Sequence, residues 1–510
     1  MGEIAIATSH SVALIGLDGT VVEIEVAHGG GTPRTIMVGN VDKAISEARD
    51  RVRPAMLSNG LGWGNQLITI NLTPATLPKT GSHYDLGIAA AVLAVLGSAK
   101  AETLGSTVFL GELGLDGRVH RVPGILPALL AASDAGFERA IVPMSQTSEA
   151  LLVQGMTVWG VDTILDLRSV LTGEPVTQRP PDPEPDARMG APGHKDMIDV
   201  IGQPDAKWAL EVAAAGRHHL YMHGAPGVGK TMLAERLPSL LPDLNPSEAV
   251  EVSAIHSLAG ADLNGGLMTR PPYADPHHTS SVASLVGGGA KVVRPGSISL
   301  AHRGVLFLDE APEFSSQKLE SLRTPLEAGW VSIGRAAVHA RYPARFQLIA
   351  AANPCPCGLA GMPGQPCTCS PWEVRRYGER ISGPILDRID LHQRLVPMRK
   401  AFLKLAVHAC EPSSAIAARV AEARQRQARR LAGTGWLTNG EVPGPFLRRE
   451  LPPASGTDVI DDAVIRGTLS SRGVDKVLRV AWTLADLAGH ERVDASEIRA
   501  AMAMRQGERR

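Results

Sequence analysis

Aromatic residues and cysteines are both scarce in this chain. Phe, Trp and Tyr make up 4% of the 510 residues, which argues against a protein that stacks nucleic-acid bases on exposed aromatic side chains. Five cysteines are too few for the disulfide scaffold of a secreted protein of this length. The formal net charge is −1, so any contact with nucleic acid must come from local patches or loops rather than from a general basic field.

Long hydrophobic runs are missing as well. The longest apolar stretch, Leu86–Leu96, is too short to cross a bilayer and predicts a buried helix. The amino terminus lacks the basic start and apolar run of a signal peptide. We therefore expect a cytoplasmic protein without membrane contact, whose length is typical of about three domains.

A phosphate-binding loop lies near the middle of the chain. Residues 224–231 read GAPGVGKT, which fits the GxxxxGK[ST] motif between an apolar strand and a helix. Its glycines let backbone N–H groups close around phosphate oxygens at the beginning of a helix. The residues expected to bind ATP are Gly224, Ala225, Pro226, Gly227, Val228, Gly229, Lys230 and Thr231.

Carboxylate and amide side chains follow two further buried strands. Asp309 and Glu310 end the segment GVLFLDE, and Asn353 ends FQLIAAAN. Lys230 is predicted to contact the β- and γ-phosphates, while Thr231 and Asp309 hold Mg²⁺. Glu310 would polarise the attacking water, and Asn353 would orient it or touch the γ-phosphate. These residues predict ATP hydrolysis with ATP and Mg²⁺ as cofactors.

Four of the five cysteines lie close together in the sequence. Their spacing is C-x-C-x9-C-x-C, in a segment rich in glycine and proline. Four thiolates in a cytoplasmic protein fit a tetrahedral structural Zn²⁺ and leave no open position for catalysis. The tight C-x-C spacing leaves free or redox-active thiols as an alternative. The candidate ligands are Cys355, Cys357, Cys367 and Cys369.

The pattern of residues divides the chain into four parts. Residues 1–173 alternate predicted strands and helices, and residues 174–193 are rich in proline and charge, which indicates a linker. Residues 194–398 carry the nucleotide motifs, and residues 399–510 are helical by pattern. Within the last part, a basic helix over 415–431 suits either a nucleic-acid patch or a solvated face.

Residues 1–173 resemble the proteolytic domain of Lon proteases. The resemblance is carried by PKTG at 78–81 and GELGLDGRV at 111–119. Lon proteases use a Ser–Lys dyad, but here the serine position falls on His83 and the lysine position on or near Leu126. Ser82 and Lys79 are present but out of place, and a nucleophile needs a base within hydrogen-bond reach. We expect a Lon-like domain without peptidase activity.

The nucleotide part resembles the magnesium-chelatase-like AAA+ ATPases, in which Asn353 corresponds to sensor 1. The segment GPILDRIDL at 383–391 makes Arg388 the candidate arginine finger, which would reach the γ-phosphate of a neighbouring subunit. The alternative is a surface turn where Arg388 pairs with Asp387 or Asp390. The helix after Ser471 resembles the sensor-2 helix, with Arg472 as the candidate and Arg479 as second choice.

The order of these parts, with GAPGVGKT, GVLFLDE, AANPCPCG and SGPILDRIDL, resembles the YifB/ComM family. The resemblance implies an α/β chain with an AAA+ P-loop core and helical lid, preceded by a Lon-protease-like α+β domain. It also implies a homo-hexameric ring and a DNA helicase that drives branch migration during natural transformation, with single-stranded or branched DNA as partner. A chelatase-type or protein-remodelling ATPase without DNA activity is the alternative.

Two insertions separate the nucleotide motifs, one over 275–298 and one over 331–341. In this family such insertions face the central channel of the ring, which makes Lys291, Arg335, His339 and Arg341 candidate DNA contacts. A solvated charged hairpin is an equally simple interpretation of the second insertion.

Overall fold

The computed structural model describes residues 5–30, 32–63, 67–175, 195–289, 293–335, 338–362, 366–397, 410–451 and 455–507. The predicted linker lies mostly outside the described residues, because only its first two positions fall within them. Two sheets with helices packed against them are followed by a helical carboxyl-terminal part. This arrangement confirms the expected mixed α/β fold class with a parallel P-loop core.

The front domain contains nine strands in its described residues. They are β1 (Ala5–Ile15), β2 (Asp18–Gly29), β3 (Arg34–Val38), β4 (Leu67–Thr73), β5 (Thr107–Phe109), β6 (Glu112–Leu113), β7 (Val119–His120), β8 (Arg139–Pro143) and β9 (Thr157–Val161). Seven of them form a mixed sheet in the order β3–β4–β2–β1–β5–β8–β9. The pairs β1–β2 and β2–β4 are antiparallel, whereas the others are parallel.

The helices of the front domain cover this sheet. The α-helices are Lys43–Ser46, Ala48–Ser58, Asp85–Val95, Ile125–Asp134, Thr147–Ala150 and Ile164–Thr172, with 3₁₀ turns at Ala101–Thr103 and Met144–Gln146. Residues 85–93 of the third helix are all buried, as expected for a helix that is apolar all round. Its apolar run is therefore a core element of the front domain.

The nucleotide domain is built on a second sheet, whose strands are all parallel. Its strands and hairpins are β10 (Leu220–His223), β11 (Tyr273–Ala274), β12 (Gly287–Gly288), β13 (Arg294–Pro295), β14 (Val305–Leu308), β15 (Trp330–Arg335), β16 (Val338–Pro343), β17 (Gln347–Ala352) and β18 (Leu391–Arg394). The sheet order among the described residues is β11–β14–β17–β10–β18. Every residue of β14 and β17 is buried, because helices cover both faces of a parallel sheet.

The helices of the nucleotide domain connect these strands. They are Pro204–Gly216, Lys230–Ala234, Pro246–Leu258, Val282–Val286, Ser297–Leu300, Ser316–Ser321, Arg323–Ala328, Pro371–Gly378 and Gly383–Leu386, with 3₁₀ turns at Met197–Asp199, Leu237–Leu240 and Ala311–Glu313. The predicted hairpin is present as the antiparallel pair β15–β16. The first insertion holds a short helix and the paired strands β12 and β13, rather than loop alone.

The carboxyl-terminal part is helical, as its pattern predicts. Its α-helices are Ser413–Arg430, Gly444–Arg449, Asp458–Ile465, Ser471–Ala488 and Ala495–Gln506, with a 3₁₀ turn at Asn439–Glu441. These helices share one hydrophobic cluster with the nucleotide domain. A buried ion pair also joins the two parts, because Lys476 Nζ lies 2.6 Å from Asp390 Oδ1. Burial alone would raise the pKa of Asp390, but the Lys476 ammonium and the nearby His218 hold it well below its usual range.

The front domain is docked on the nucleotide domain through a buried carboxylate. Ser257 Oγ donates to Glu149 Oε1 at 2.5 Å, and the backbone N–H of Leu126 donates to the same oxygen at 3.1 Å. Gly124 N–H also donates to the Ser257 carbonyl at 3.1 Å. Burial raises the pKa of Glu149, although these donors lower it in part. An apolar cluster that includes Leu126 and Ala254 is buried at the same junction.

Within the part of the chain that the structure covers, no helix is both long enough and apolar enough to span a bilayer.

Loss of the buried ion pair gives a test of how the helical part is held. Asp390→Ala leaves the Lys476 ammonium buried without its partner, which we expect to cost about 3–5 kcal/mol of unfolding free energy in urea denaturation. Glu379→Ala removes only an exposed pair with Arg375 and should cost under about 1 kcal/mol. Equal destabilisation by the two variants would contradict this account.

Candidate nucleotide site

The phosphate-binding loop leaves the carboxyl end of the central strand β10. Its first residue is anchored to the neighbouring strand, because Gly224 N–H donates to the Ala352 carbonyl at 3.1 Å. Gly227 (φ +77°) and Gly229 (φ +96°) have left-handed backbones, which glycine adopts without a steric penalty. A Cβ at Gly227 would meet no atom within 4 Å. The loop therefore forms an open cradle in front of the Lys230–Ala234 helix.

The Lys230 amine lies inside this cradle. It donates to the carbonyls of Gly224 at 2.6 Å and Ala225 at 3.0 Å, and to Asn353 Oδ1 at 2.9 Å. Burial lowers the pKa of Lys230, and the nearby Asp309 and Glu310 carboxylates oppose that shift. The structure thus brings Asn353 and the loop lysine together, although 123 residues separate them in the sequence.

Thr231 and Asp309 face one another across the same edge of the sheet. The Thr231 hydroxyl donates to Asp309 Oδ2 at 2.7 Å, and Asp309 Oδ1 accepts from the Glu310 N–H at 2.9 Å. Hydroxyl and carboxylate oxygens are the ligands that Mg²⁺ prefers. Because the two oxygens already meet at one point beside the phosphate cradle, these residues fit a nucleotide-bound magnesium ion.

Glu310 has a neighbour that the sequence did not indicate. His278 Nδ1 lies 3.8 Å from Glu310 Oε2, and the Lys318 amine donates to the His278 carbonyl at 2.6 Å. His278 belongs to the first insertion, which the family resemblance predicted to face the central channel. No spacing rule connects that loop with Glu310, because the contact depends on how the insertion folds back over β14.

Arg388 lies at the opposite edge of the sheet. It comes just before β18, and the N–H groups of Asp390 and Leu391 both donate to the carbonyl of His219, just before β10. The cradle, in contrast, follows the carboxyl ends of β10, β14 and β17. A strand of four residues is roughly 13 Å long. Arg388 therefore lies at the edge of the sheet opposite the phosphate loop of its own chain.

Arg388 and Arg472 both line one polar cleft of about 480 Å³. Arg388 pairs with Glu327 and donates to the Pro384 carbonyl at 2.5 Å. Among its described contacts, Arg388 pairs with neither Asp387 nor Asp390, which were its partners in the alternative surface-turn interpretation. Arg472 Nη1 lies 3.9 Å from Asp387 Oδ2, and its side chain is 68% exposed.

Arg479, the second choice for sensor 2, has a different environment. Its Nε donates to the Val442 carbonyl at 2.7 Å, and burial lowers its pKa. Arg479 therefore holds the helical part together, whereas Arg472 on the same helix is open to solvent. Burial thus distinguishes Arg472, the first choice from the sequence, from Arg479, the second choice.

The four clustered cysteines converge in space. All four sulfur atoms lie within 4.8 Å of one another. The sulfur of Cys355 lies 3.3 Å from that of Cys357 and 3.7 Å from that of Cys367, and the latter two are 3.5 Å apart. A tetrahedral zinc ion about 2.3 Å from each sulfur requires sulfur atoms about 3.8 Å apart. The donor set and its spacing therefore fit Zn²⁺.

The residues at and near the Lon-type catalytic positions make structural contacts. The amine of Lys79 is buried and donates to the carbonyls of Gly39, Pro74 and Leu77, and the Ser82 hydroxyl donates to Glu112. His83 Nε2 lies 2.9 Å from the Val12 carbonyl. Leu126 is buried at the docking junction. Among these described contacts, none joins Ser82 to Lys79.

The candidate DNA contacts are only partly described. Lys291 and the Arg335 side chain lie outside the described part of the structure. His339 and Arg341 are exposed on β16, and the Arg341 guanidinium stacks 4.5 Å above the Trp330 ring. A Cβ at Gly16 of the front domain would lie 2.8 Å from the Arg341 carbonyl, so the front domain packs against this hairpin.

The arginines of the 413–430 helix mostly bind their own chain. Arg419 pairs with Glu211 and Glu411, and Arg430 pairs with Asp486 above the Trp482 ring. Arg424 donates to the Ala214 carbonyl at 2.7 Å, and burial lowers its pKa to about 10. These contacts differ from both interpretations of the basic pattern, a nucleic-acid patch and a solvated face.

Three family models cover most of the chain. They are described as Magnesium chelatase, subunit ChlI (residues 196–402), Subunit ChlI of Mg-chelatase (22–146) and Magnesium chelatase, subunit ChlI C-terminal (410–505). YifB of Escherichia coli is 38% identical over 497 residues, which cover 97% of this chain and 96% of YifB. The chain belongs to the YifB/ComM family of magnesium-chelatase-like proteins. The family assignment made from the motifs is thereby confirmed.

Other relatives place this YifB/ComM protein within a wider group. Competence protein ComM of Haemophilus influenzae is 37% identical over 492 residues, which cover 96% of this chain and 95% of ComM. The Magnesium-chelatase 38 kDa subunit of Rhodobacter capsulatus is 28% identical over 171 residues, only 30% of this chain. These similarities support an AAA+ ATPase of the chelatase-like family.

The geometry around Glu310 predicts which carboxylate the hydrolysis step needs. Glu310→Gln should lower kcat for ATP at least about 100-fold, because an amide cannot accept a proton from water, while nucleotide binding is retained. Glu313→Gln removes a nearby surface acid that pairs with Arg380 and serves as the matched control. Steady-state phosphate release and nucleotide titration measure the two effects. Near-normal kcat in Glu310→Gln would rule out this role.

Proposed function

We propose that this YifB/ComM protein is a ring-shaped ATPase motor that acts on DNA and drives branch migration in recombination or natural transformation. The observation that carries the proposal is the separation of its catalytic groups between the two edges of one parallel sheet. A site whose phosphate loop and arginines lie at opposite edges is completed by a neighbouring copy. This requirement favours a closed ring.

Each residue at the carboxyl edge has a distinct task. Lys230 exchanges its carbonyl contacts for β- and γ-phosphate oxygens, and Asn353, which it already touches, orients the attacking water. Thr231 and Asp309 hold Mg²⁺, which neutralises charge on the phosphates when bound. Glu310 accepts the proton of the water. The loop residues from Gly224 to Gly229 supply N–H donors.

The arginines act on the nucleotide of the next subunit. Arg388, presented at the amino edge, stabilises the charge that develops on the γ-phosphate of that subunit. Arg472 accompanies it, because it shares the cleft and is the more exposed of the two. In this arrangement Glu327 and Asp387 keep the guanidinium groups in place until the neighbour arrives. The expected assembly is a homo-hexamer.

Exposed basic residues on β16 favour DNA in the channel. His339 and Arg341 lie on a hairpin whose base is packed against the front domain, and phosphate contacts of this kind are sequence-independent. The near full-length similarity to Competence protein ComM supports DNA as the partner. The expected substrate is single-stranded or branched DNA in the cytoplasm.

A chelatase-type motor is the second candidate. It is favoured by the descriptions of the three matching family models, which all refer to magnesium chelatase. The short overlap with the 38 kDa subunit counts against transfer of that activity to this chain. Both the DNA motor and the chelatase-type motor would depend on ATP hydrolysis. They differ in the partner that stimulates this hydrolysis.

The remaining parts support the motor without chemistry of their own. We assign residues 1–173 to a docking domain without peptidase activity, because Lys79 and Ser82 are each engaged elsewhere. Residues 174–193 serve as the linker, 194–398 as the AAA+ core and 399–510 as the helical lid. The four cysteines hold a structural Zn²⁺ within the core.

Stimulation by DNA tests the motor directly. We expect single-stranded or four-way-junction DNA to raise the ATPase rate several-fold, because a DNA motor hydrolyses ATP fastest when it is bound to DNA. Lys230→Ala serves as the inactive control. Junction unwinding in the same samples measures the output. ATPase activity that is indifferent to every DNA would favour the chelatase-type alternative.

A mixing experiment tests whether the arginine acts between subunits. Lys230→Ala and Arg388→Ala should each lower ATPase activity at least about 100-fold. Mixed assemblies should regain activity, because a Lys230→Ala subunit can present Arg388 to an intact phosphate loop. Arg380→Ala, which loses surface contacts with Glu313, the Pro312 carbonyl and the Tyr377 ring, is the matched control. If mixtures show no more than the sum of their inactive parts, the arginine does not act in trans.

A further inference from the structure

The cysteine cluster lies directly beside the nucleotide site. Cys355 follows Asn353 by two residues, and Asn353 Oδ1 is 2.9 Å from the Lys230 amine. The strand that precedes them, β17, accepts a hydrogen bond from Gly224 at the beginning of the phosphate loop. One continuous segment therefore carries both a sulfur of the cluster and the amide that faces the nucleotide.

The same loop also touches the phosphate loop from the outside. Gly358 packs on Pro226 so closely that a Cβ at Gly358 would lie 2.5 Å from both Cδ and Cγ of the proline. Its backbone is left-handed, with φ +78°, and its N–H donates to the Cys355 carbonyl at 2.9 Å. The turn that begins at Cys355 thus packs against Pro226 of the phosphate loop.

In its described residues, this turn has few contacts besides those of the sulfur atoms to stabilise its position. Residues 355–362 and 366–369, the described parts of the loop, contain neither helix nor strand. The hydrogen bonds among these described residues are short-range, such as Met362 N–H to the Leu359 carbonyl at 3.0 Å and Ala360 N–H to Cys355 Sγ at 3.3 Å. A cross-link between the four sulfur atoms is what would order such a segment.

We propose that Zn²⁺ bound by the four cysteines fixes this loop against Pro226 and Asn353, so that zinc occupancy controls nucleotide affinity. This inference rests on the proposed zinc assignment and extends it from structure to regulation. The metal takes no part in the reaction, because four thiolates complete its coordination. Its effect is preorganisation: with zinc bound, the phosphate loop and Asn353 already have their binding geometry, and no ordering cost is added when nucleotide binds.

The experiment uses the full-length protein and measures metal and nucleotide separately. Elemental analysis should find about one zinc per chain after purification without chelator. Zinc is then removed with a thiol-reactive mercurial and chelator, and a thiol is added to restore the cysteines. We expect the Kd of a fluorescent ADP analogue to rise at least about tenfold, and equimolar Zn²⁺ to restore it.

Three variants separate the parts of the inference. Cys357→Ser removes a ligand and should lower both zinc content and nucleotide affinity. Cys410→Ser, whose sulfur lies 3.9 Å from the Lys207 amine and apart from the cluster, should change neither. Gly358→Ala keeps all four ligands but forces the loop away from Pro226, so it should retain zinc and still bind nucleotide more weakly.

The outcomes that overturn the inference can be told apart. Full-length protein without zinc would remove both the zinc assignment and the inference, while leaving the ATPase proposal intact. Zinc that can be removed with no change in the nucleotide Kd would overturn the regulatory inference alone. Wild-type nucleotide affinity in Gly358→Ala would overturn it in the same way, because the contact with Pro226 would then carry no coupling.

Discussion

The five strands that the structure describes in the core sheet all run in the same direction, and this polarity determines where each polar side chain can act. Loops that follow the strands bring Lys230, Asp309 and Asn353 to one edge. Loops that precede the strands bring Arg388 to the other. No rotation of side chains can exchange the two edges, because the strand between them is fixed by its hydrogen bonds. In the proposed ring, a neighbouring copy brings these groups together.

Local patterns were sufficient for the groups that follow strands. A phosphate loop, a carboxylate after GVLFL and an amide after QLIAAA are each positioned by a short apolar run, and the structure brings them together. The hairpin β15–β16 and the buried helix around Ile88 also follow from local periodicity. The cysteine spacing indicated a cluster, because a short loop keeps its four sulfur atoms close to one another.

Contacts between residues distant in the sequence determine the side-chain environments that local patterns could not predict. Arg472 and Arg479 lie seven residues apart on one helix, yet the first faces solvent and the second binds the Val442 carbonyl. The arginines of the 413–430 helix point toward acids and carbonyls of the core, which no charge pattern reveals. The contact of His278 with Glu310 likewise depends on how an insertion folds back across the sheet.

The docking of the front domain affects how this chain can be divided experimentally. The Ser257 hydroxyl and the Leu126 N–H share one carboxylate oxygen of Glu149 in the buried junction. A protease that cuts between residues 176 and 194 would leave two fragments still bound to each other. Co-purification of such fragments would therefore show that the junction is intact, and it would not show that the polypeptide is uncut. Either half expressed alone would expose apolar surface and a buried acid, and would tend to aggregate for reasons unrelated to its activity.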